Sequence, residues 1–237
     1  MEPIRRNAVF YLAAIVFFTL LALLTAQYVH REAAVSARGS APLVYIDPGH
    51  GGEDGGAVSV SGAKESALNL AVSLRVRDLL RFCGVRTAMT REGDYALYEE
   101  GSATFSQKKT SDLRRRVALL REHPDAILLS IHQNKFPEAK YRGAQAFYKN
   151  TPDSALLAEA IQDSLRRGID PRNHRKPKQA EGIYLLEKID NPAVLLECGF
   201  LSNPEEEALL RTDAYQKKLV CAVCAGLING IGRETLL

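Results

Sequence analysis

The chain has no tryptophan at all, so a ligand platform built on indole rings is excluded. It also lacks a strong charge bias: 31 Lys and Arg oppose 28 Asp and Glu, for a net charge of +3. The basic residues are spread out, without the dense positive face that a nucleic-acid partner requires. Cysteines are few: Cys83, Cys198, Cys221 and Cys224. Cys221-x-x-Cys224 has no second such pair and no nearby histidine to complete a metal site. Its setting, Leu219-Val220-Cys221-Ala222-Val223-Cys224-Ala225-Gly226-Leu227, is small and apolar, so these thiols read as packing groups. A Cys221–Cys224 disulfide has no support. The histidines are also few, at His30, His50, His123, His132 and His174.

A long uncharged run is present, Ala8–Val29. A bilayer-spanning helix needs about 20 residues, and this stretch suffices. Arg5 and Arg6 precede it, which keeps residues 1–7 in the cytoplasm and faces the rest outward. A cleaved signal peptide is the rival, but its apolar core is usually about 7–15 residues. The expected organisation is a cytoplasmic N-terminus at 1–7, a transmembrane anchor at 8–29, a polar linker at 30–42, a folded domain at 43–232 and a tail at 233–237. A domain of that length fits one hydrophobic core.

Within that domain, periodicity predicts alternating strands and helices. Strands are expected near Leu43–Ile46, Val85–Met89, Ala126–Ile131, Ala144–Tyr148, Ile183–Leu186 and Ala193–Cys198. Helices are expected over Glu65–Cys83, from Ser111 or Asp112 to Pro124, over Asp153–Arg167, after Pro204, and over Asp213–Ile231. Residues 91–110 and 168–180 read as loops. The expected fold is a single α/β domain with a mostly parallel twisted sheet and helices on both faces.

Three of the apolar runs stop on residues with chemistry. Val44-Tyr45-Ile46 leads into Asp47-Pro48-Gly49-His50, Ser130-Ile131 into His132, and Leu195-Leu196 into Glu197. Functional groups gather at the carboxyl ends of strands in open α/β sheets, so parallel neighbours would bring these groups to one rim. That set suits a zinc hydrolase. The other histidines fit structural roles: His30 at the membrane boundary, His123 at a helix end, His174 among Arg172, Arg175 and Lys176. A catalytic zinc takes three protein ligands and a water. The third ligand must then be a carboxylate, with Asp47, Glu53, Asp54 and Glu65 as candidates. Asp47 suits the task of orienting the loop or a ligand histidine. Glu65 could equally complement a helix N-terminus. Glu197 leaves a buried strand, where an idle carboxylate is costly. It could pair with Arg114, Arg115 or Arg116, or serve as a general base beside the metal.

Asp47-Pro48-Gly49-His50-Gly51-Gly52, Asp54-Gly55-Gly56-Ala57, Glu65 ahead of Asn69-Leu70, Thr90-Arg91 with Asp94, Ser130-Ile131-His132-Gln133-Asn134, and Leu196-Glu197-Cys198-Gly199-Phe200-Leu201-Ser202-Asn203 follow one another in order. This ordered set resembles the zinc-dependent N-acetylmuramoyl-L-alanine amidases of the amidase-3 family, over roughly residues 43–231. The resemblance implies His50, Glu65 and His132 as zinc ligands and Glu197 as the catalytic carboxylate. Asp47, Asn134 and Arg116 are candidates for supporting the site or lining the substrate groove. Lys135 departs from the small residue commoner after Asn134. The anchor, the length and residues 95–116 resemble the germination-specific, spore-cortex amidases of endospore formers.

What the resemblance implies is hydrolysis of the amide between the lactyl group of N-acetylmuramic acid and L-alanine. In spore cortex this is the first step towards muramic δ-lactam. The expected partners are peptidoglycan, the membrane through the anchor, and an activating protein, with no nucleic acid. The domain is expected outside the cytoplasm, in a spore former between the forespore and mother-cell membranes. A peptidase or deacetylase with the same metal logic, or a silent wall-binding protein on the same fold, are the alternatives. All four site residues are present, which disfavours the silent reading.

Overall fold

The computed structural model describes residues 42–99 and 101–234, together with Thr19. The run Ala8–Val29, apart from Thr19, lies outside the described residues, as do residues 1–7 and the linker up to Ala41. Among the described residues no helix is long and apolar enough to cross a membrane. Residues from Pro42 onward form one compact unit.

The β-branched and leucine-rich runs form the centre of a six-stranded sheet. Its strands are β1 (Val44–Pro48), β2 (Thr87–Met89), β3 (Ile127–Asn134), β4 (Gln145–Tyr148), β5 (Lys178–Gln179) and β6 (Ala193–Phe200), in the order β2-β1-β3-β6-β4-β5. The first four in that order run parallel, whereas β4 is antiparallel to β6 and β5 follows β4. The mostly parallel sheet is therefore as expected, with its last two strands reversed. Strands buried on both faces need no alternation, and every residue of β1 is buried.

Helices cover both faces. On one side pack α1 (Glu65–Phe82), α3 (Pro152–Gly168) and α6 (Asp213–Glu234), against Val44, Ile46, Leu129, Ile131, Val194 and Leu196. On the other side α2 (Phe105–Arg121) and α4 (Tyr184–Lys188) cover Tyr45, Leu128 and Leu195. The small stretch around Cys224 lets α6 approach α3 closely. A Cβ on Gly226 would lie 2.6 Å from the Ile161 Cα. All four cysteines are free. Cys198 and Cys224 are buried, and burial raises both thiol pKa values.

Three expectations are corrected. Ile183–Leu186 is not a strand: Ile183 caps the short helix α4, whose Leu185 and Leu186 pack beneath α2. A run of four apolar residues carries too little periodicity to separate the two states. Helix α2 starts at Phe105, not at Ser111 or Asp112. Its cap is Thr104, which with Gln107 forms a reciprocal capping box. Asp112 instead sits inside the helix and turns inward. The loop expected at 168–180 contains the two-residue strand β5.

Candidate metal and catalytic site

The parallel register determines which side chains share the rim. His132 lies directly beside Glu197 across the β3–β6 pair, so both point to the face covered by α2 and α4. Asp47 lies beside Ser130 on the same face across the β1–β3 pair. His50 follows β1 by one turn. It is the single non-glycine residue with positive φ among the described residues, at 62°. That left-handed conformation turns its ring towards β3, and the His50 and His132 rings meet edge to face with centroids 5.1 Å apart. Gly49 makes room for this approach: a Cβ there would lie 2.1 Å from the His132 ring.

Glu65, the first residue of α1, closes the group. Its Oε1 lies 2.9 Å from His132 Nδ1 and its Oε2 3.3 Å from His50 Nε2. The three ligand-type atoms lie within 4.8 Å of one another. The carboxylate is oriented by main-chain donors from Ala57 (2.9 Å) and Gln133 (3.1 Å) and by the Asn69 amide (3.2 Å). Burial opposes its charge, but the two imidazoles more than compensate and depress its pKa strongly. Asp54, one of the open candidates for third ligand, instead sits behind His50 and contacts Nδ1 at 2.9 Å. This fixes the ring so that Nε2 faces Glu65. Burial lowers the His50 pKa, yet Asp54 and Glu65 raise it to about 9. Two imidazoles packed among Asp54, Glu65 and Glu197 form a site that favours positive charge. Two histidines and one glutamate, with His50 backed by Asp54 and Glu65 backed by Ala57, Gln133 and Asn69, could hold a metal ion.

Glu197 lies beside this group, and its Oε2 is buried without a hydrogen-bond partner. Burial lifts its pKa from 4.5 to about 7, with the negative charge of Glu65 adding to the rise and the imidazoles opposing it. It does not pair with Arg116, as one reading of the sequence allowed. Arg116 is 2% exposed and fully engaged elsewhere. Its Nε donates to Asp112 at 2.7 Å, and its NH1 binds Asp47 and, at 2.9 Å, the Pro48 carbonyl. Its NH2 donates to the His50 carbonyl at 2.8 Å. Asp47 also accepts from Thr90 and Ser130, each at 2.7 Å, and these contacts with Arg116 hold its pKa near 2 against burial.

Arg91 is the residue that spacing alone did not single out. It is 1% exposed and donates to the carbonyls of Pro48, Gly49, Ser66 and Gly93. Arg91 and Arg116 together occupy the carbonyls of Pro48, Gly49 and His50, the turn that carries the strained histidine. The signal was the Thr90-Arg91 pair at the end of an edge strand, which reads as an ordinary surface charge. Asn134 ends β3 where the register shifts, and its carbonyl accepts from the Leu201 amide. Lys135 donates to the Val58 carbonyl at 2.8 Å and so ties the glycine-rich loop to β3.

The family model described as N-acetylmuramoyl-L-alanine amidase matches residues 44–229. The chain is 42% identical over 193 residues to the germination-specific N-acetylmuramoyl-L-alanine amidase of Bacillus subtilis, covering 80% of each chain. It is 29% identical to the N-acetylmuramoyl-L-alanine amidase AmiA of Salmonella typhimurium, over 84% of this chain and 80% of that one. Among solved structures it is similar to the CwlD amidase from Clostridioides difficile in complex with the GerS lipoprotein, with a TM-score of 0.79. The identity there is 37%, over 81% of this chain and 99% of that one.

Proposed function

Because the chain belongs to the N-acetylmuramoyl-L-alanine amidase family, we propose that it hydrolyses its amide with one zinc ion held by His50, Glu65 and His132 and with Glu197 as the proton carrier. The enzyme is a peptidoglycan amidase, which cleaves the bond between the lactyl group of N-acetylmuramic acid and L-alanine. The observation that carries the site reading is the position of Glu197. A half-buried carboxylate, with one oxygen buried and unpartnered and its pKa raised to about 7, lies beside a cluster of two histidines and a glutamate.

A zinc ion held by His50, Glu65 and His132 would supply Lewis-acid chemistry to the attacking water and the scissile carbonyl. Glu197 takes the proton from the attacking water and returns it to the departing alanine nitrogen. Asp54 fixes the His50 tautomer, and Ala57 and Gln133 fix the Glu65 carboxylate. Arg91 and Arg116 hold the turn on which His50 stands.

The similarity to a germination-specific amidase supports a role in spore cortex, where the stripped muramic acid would become muramic δ-lactam. The apolar run Ala8–Val29 after Arg5 and Arg6 supports an anchored enzyme with residues 43–232 outside the cytoplasm. A solved relative is in complex with a lipoprotein, which supports a protein partner here. The test is to incubate the purified protein with zinc and peptidoglycan and to analyse the fragments by mass spectrometry. Release of whole stem peptides, lost in Glu197→Gln with zinc retained, is expected. Loss of acetyl groups instead, or undiminished cleavage by the variant, would overturn the reading.

A further inference from the structure

A cavity of about 220 Å³ opens on His50 and His132 and runs between the sheet and helices α2 and α4. Pockets that enclose a whole ligand are usually about 300–1,000 Å³, so this one admits part of a substrate. Leu113, Ile183, Tyr184 and Leu195 give it apolar walls. Two cations from α2, Lys109 and Arg116, line it as well. The Arg116 guanidinium is committed to Asp47, Asp112 and two carbonyls. Lys109 is not so bound. Its ammonium makes one ion pair, 3.6 Å from Asp54 Oδ2, beyond good hydrogen-bond distance. An ammonium has three donors, so Lys109 keeps donor capacity on the cavity wall. Through the Asp54 carboxylate it stands next to His50, the nearest member of the cluster.

The chemistry of the substrate says which end could use that charge. On the glycan side of the scissile amide the groups are hydroxyls, ring oxygens and an acetamide, all neutral. On the peptide side, the residue after L-alanine is an acidic one joined through its side-chain carboxyl, which leaves its α-carboxylate free. Two extended residues span about 7 Å, and the cavity that Lys109 lines is the one that opens on His50 and His132. We propose that Lys109 is a specificity residue, pairing with this α-carboxylate while the L-alanyl unit enters the cavity. The assignment rests on the amidase reading above.

The experiment uses two synthetic muramoyl peptides, one with the free α-carboxylate on the second residue and one with the carboxamide. Wild type, Lys109→Gln and Lys109→Arg are compared on both, and zinc affinity is measured separately by competition with a chelating dye. Wild type is expected to show a KM about tenfold lower for the carboxylate, the scale of one charge-assisted contact. Lys109→Gln collapses the ratio towards one through KM rather than kcat, and Lys109→Arg restores part of it. A purely structural Lys109, balancing Asp54, predicts weaker zinc binding and an equal loss on both substrates. That result, or no preference in wild type, overturns the Lys109 assignment alone. Loss of acetyl groups in place of stem peptides from peptidoglycan, under the same conditions, overturns the amidase reading and this assignment with it.

Discussion

In its proposed role as proton carrier, Glu197 would trade stability for reactivity. Its pKa rises from 4.5 to about 7 on burial in the metal-free fold. An acid whose folded pKa is raised binds its proton more tightly when folded. The fold is therefore favoured below the unfolded value and loses that advantage as pH climbs through the folded one. Metal-free wild type should lose thermal stability between about pH 4.5 and pH 7. Glu197→Gln should flatten that limb, so that at pH 8 the inactive variant melts higher than wild type. A calorimetric pH series on metal-stripped protein measures this, and parallel curves for the two proteins would contradict it. Asp54 gives the complementary case. Removing the partner of a ligand imidazole typically lowers metal affinity about 10–100-fold. Asp54→Ala should therefore bind zinc that much more weakly, as read by dye competition, while its main-chain fold by circular dichroism is unchanged. Asp54 was among the open carboxylates in the sequence. Its spacing of four from His50 could not say whether it bound the metal or the ring, because the answer depends on the left-handed turn at His50.

At the scale of elements, helix α2 does more than cover a face. From it Arg116, braced by Asp112, reaches the β1 turn, Lys108 pairs with Glu53 at 2.8 Å, and Lys109 approaches Asp54. The loop bearing His50 is thus held from α2 at several points. The strands were legible because β1, β3 and β6 are buried on both faces and read as unbroken apolar runs. The start of α2 was not legible. Its first two turns, residues 105–111, carry after Phe105 only polar side chains and face solvent in whole or part, so the apolar stripe begins a full two turns after the capping box. The reversed β4 was equally hidden, since strand direction leaves no mark on a four-residue apolar run. Thr104→Ala tests the cap. It should cost about 1 kcal/mol, and hydrogen exchange should show the loss confined to the first turns of α2 while β3 and β6 stay protected. A uniform loss across the sheet would instead mean that this turn folds with the core.

The whole domain joins these parts through one cluster of candidate metal ligands drawn from separated stretches of chain. His50 leaves β1, Glu65 opens α1, and His132 sits near the end of β3. An ion that binds this arrangement in the folded chain alone must stabilise the entire domain by mass action. At free zinc about 100 times the dissociation constant the gain is about 2.7 kcal/mol. For a domain of this size each kcal/mol moves the melting temperature by about 2–4 °C, so zinc should raise it by roughly 5–11 °C. Chelation should return it to the starting value. The shift should vanish in Glu65→Gln, because Glu65 lies between both imidazoles. It should persist in Glu197→Gln, because Glu197 lies beside the group without belonging to it. If Glu197→Gln abolished the shift as completely as Glu65→Gln, Glu197 would be a ligand rather than the proton carrier. The division of labour along the rim would then have to be redrawn.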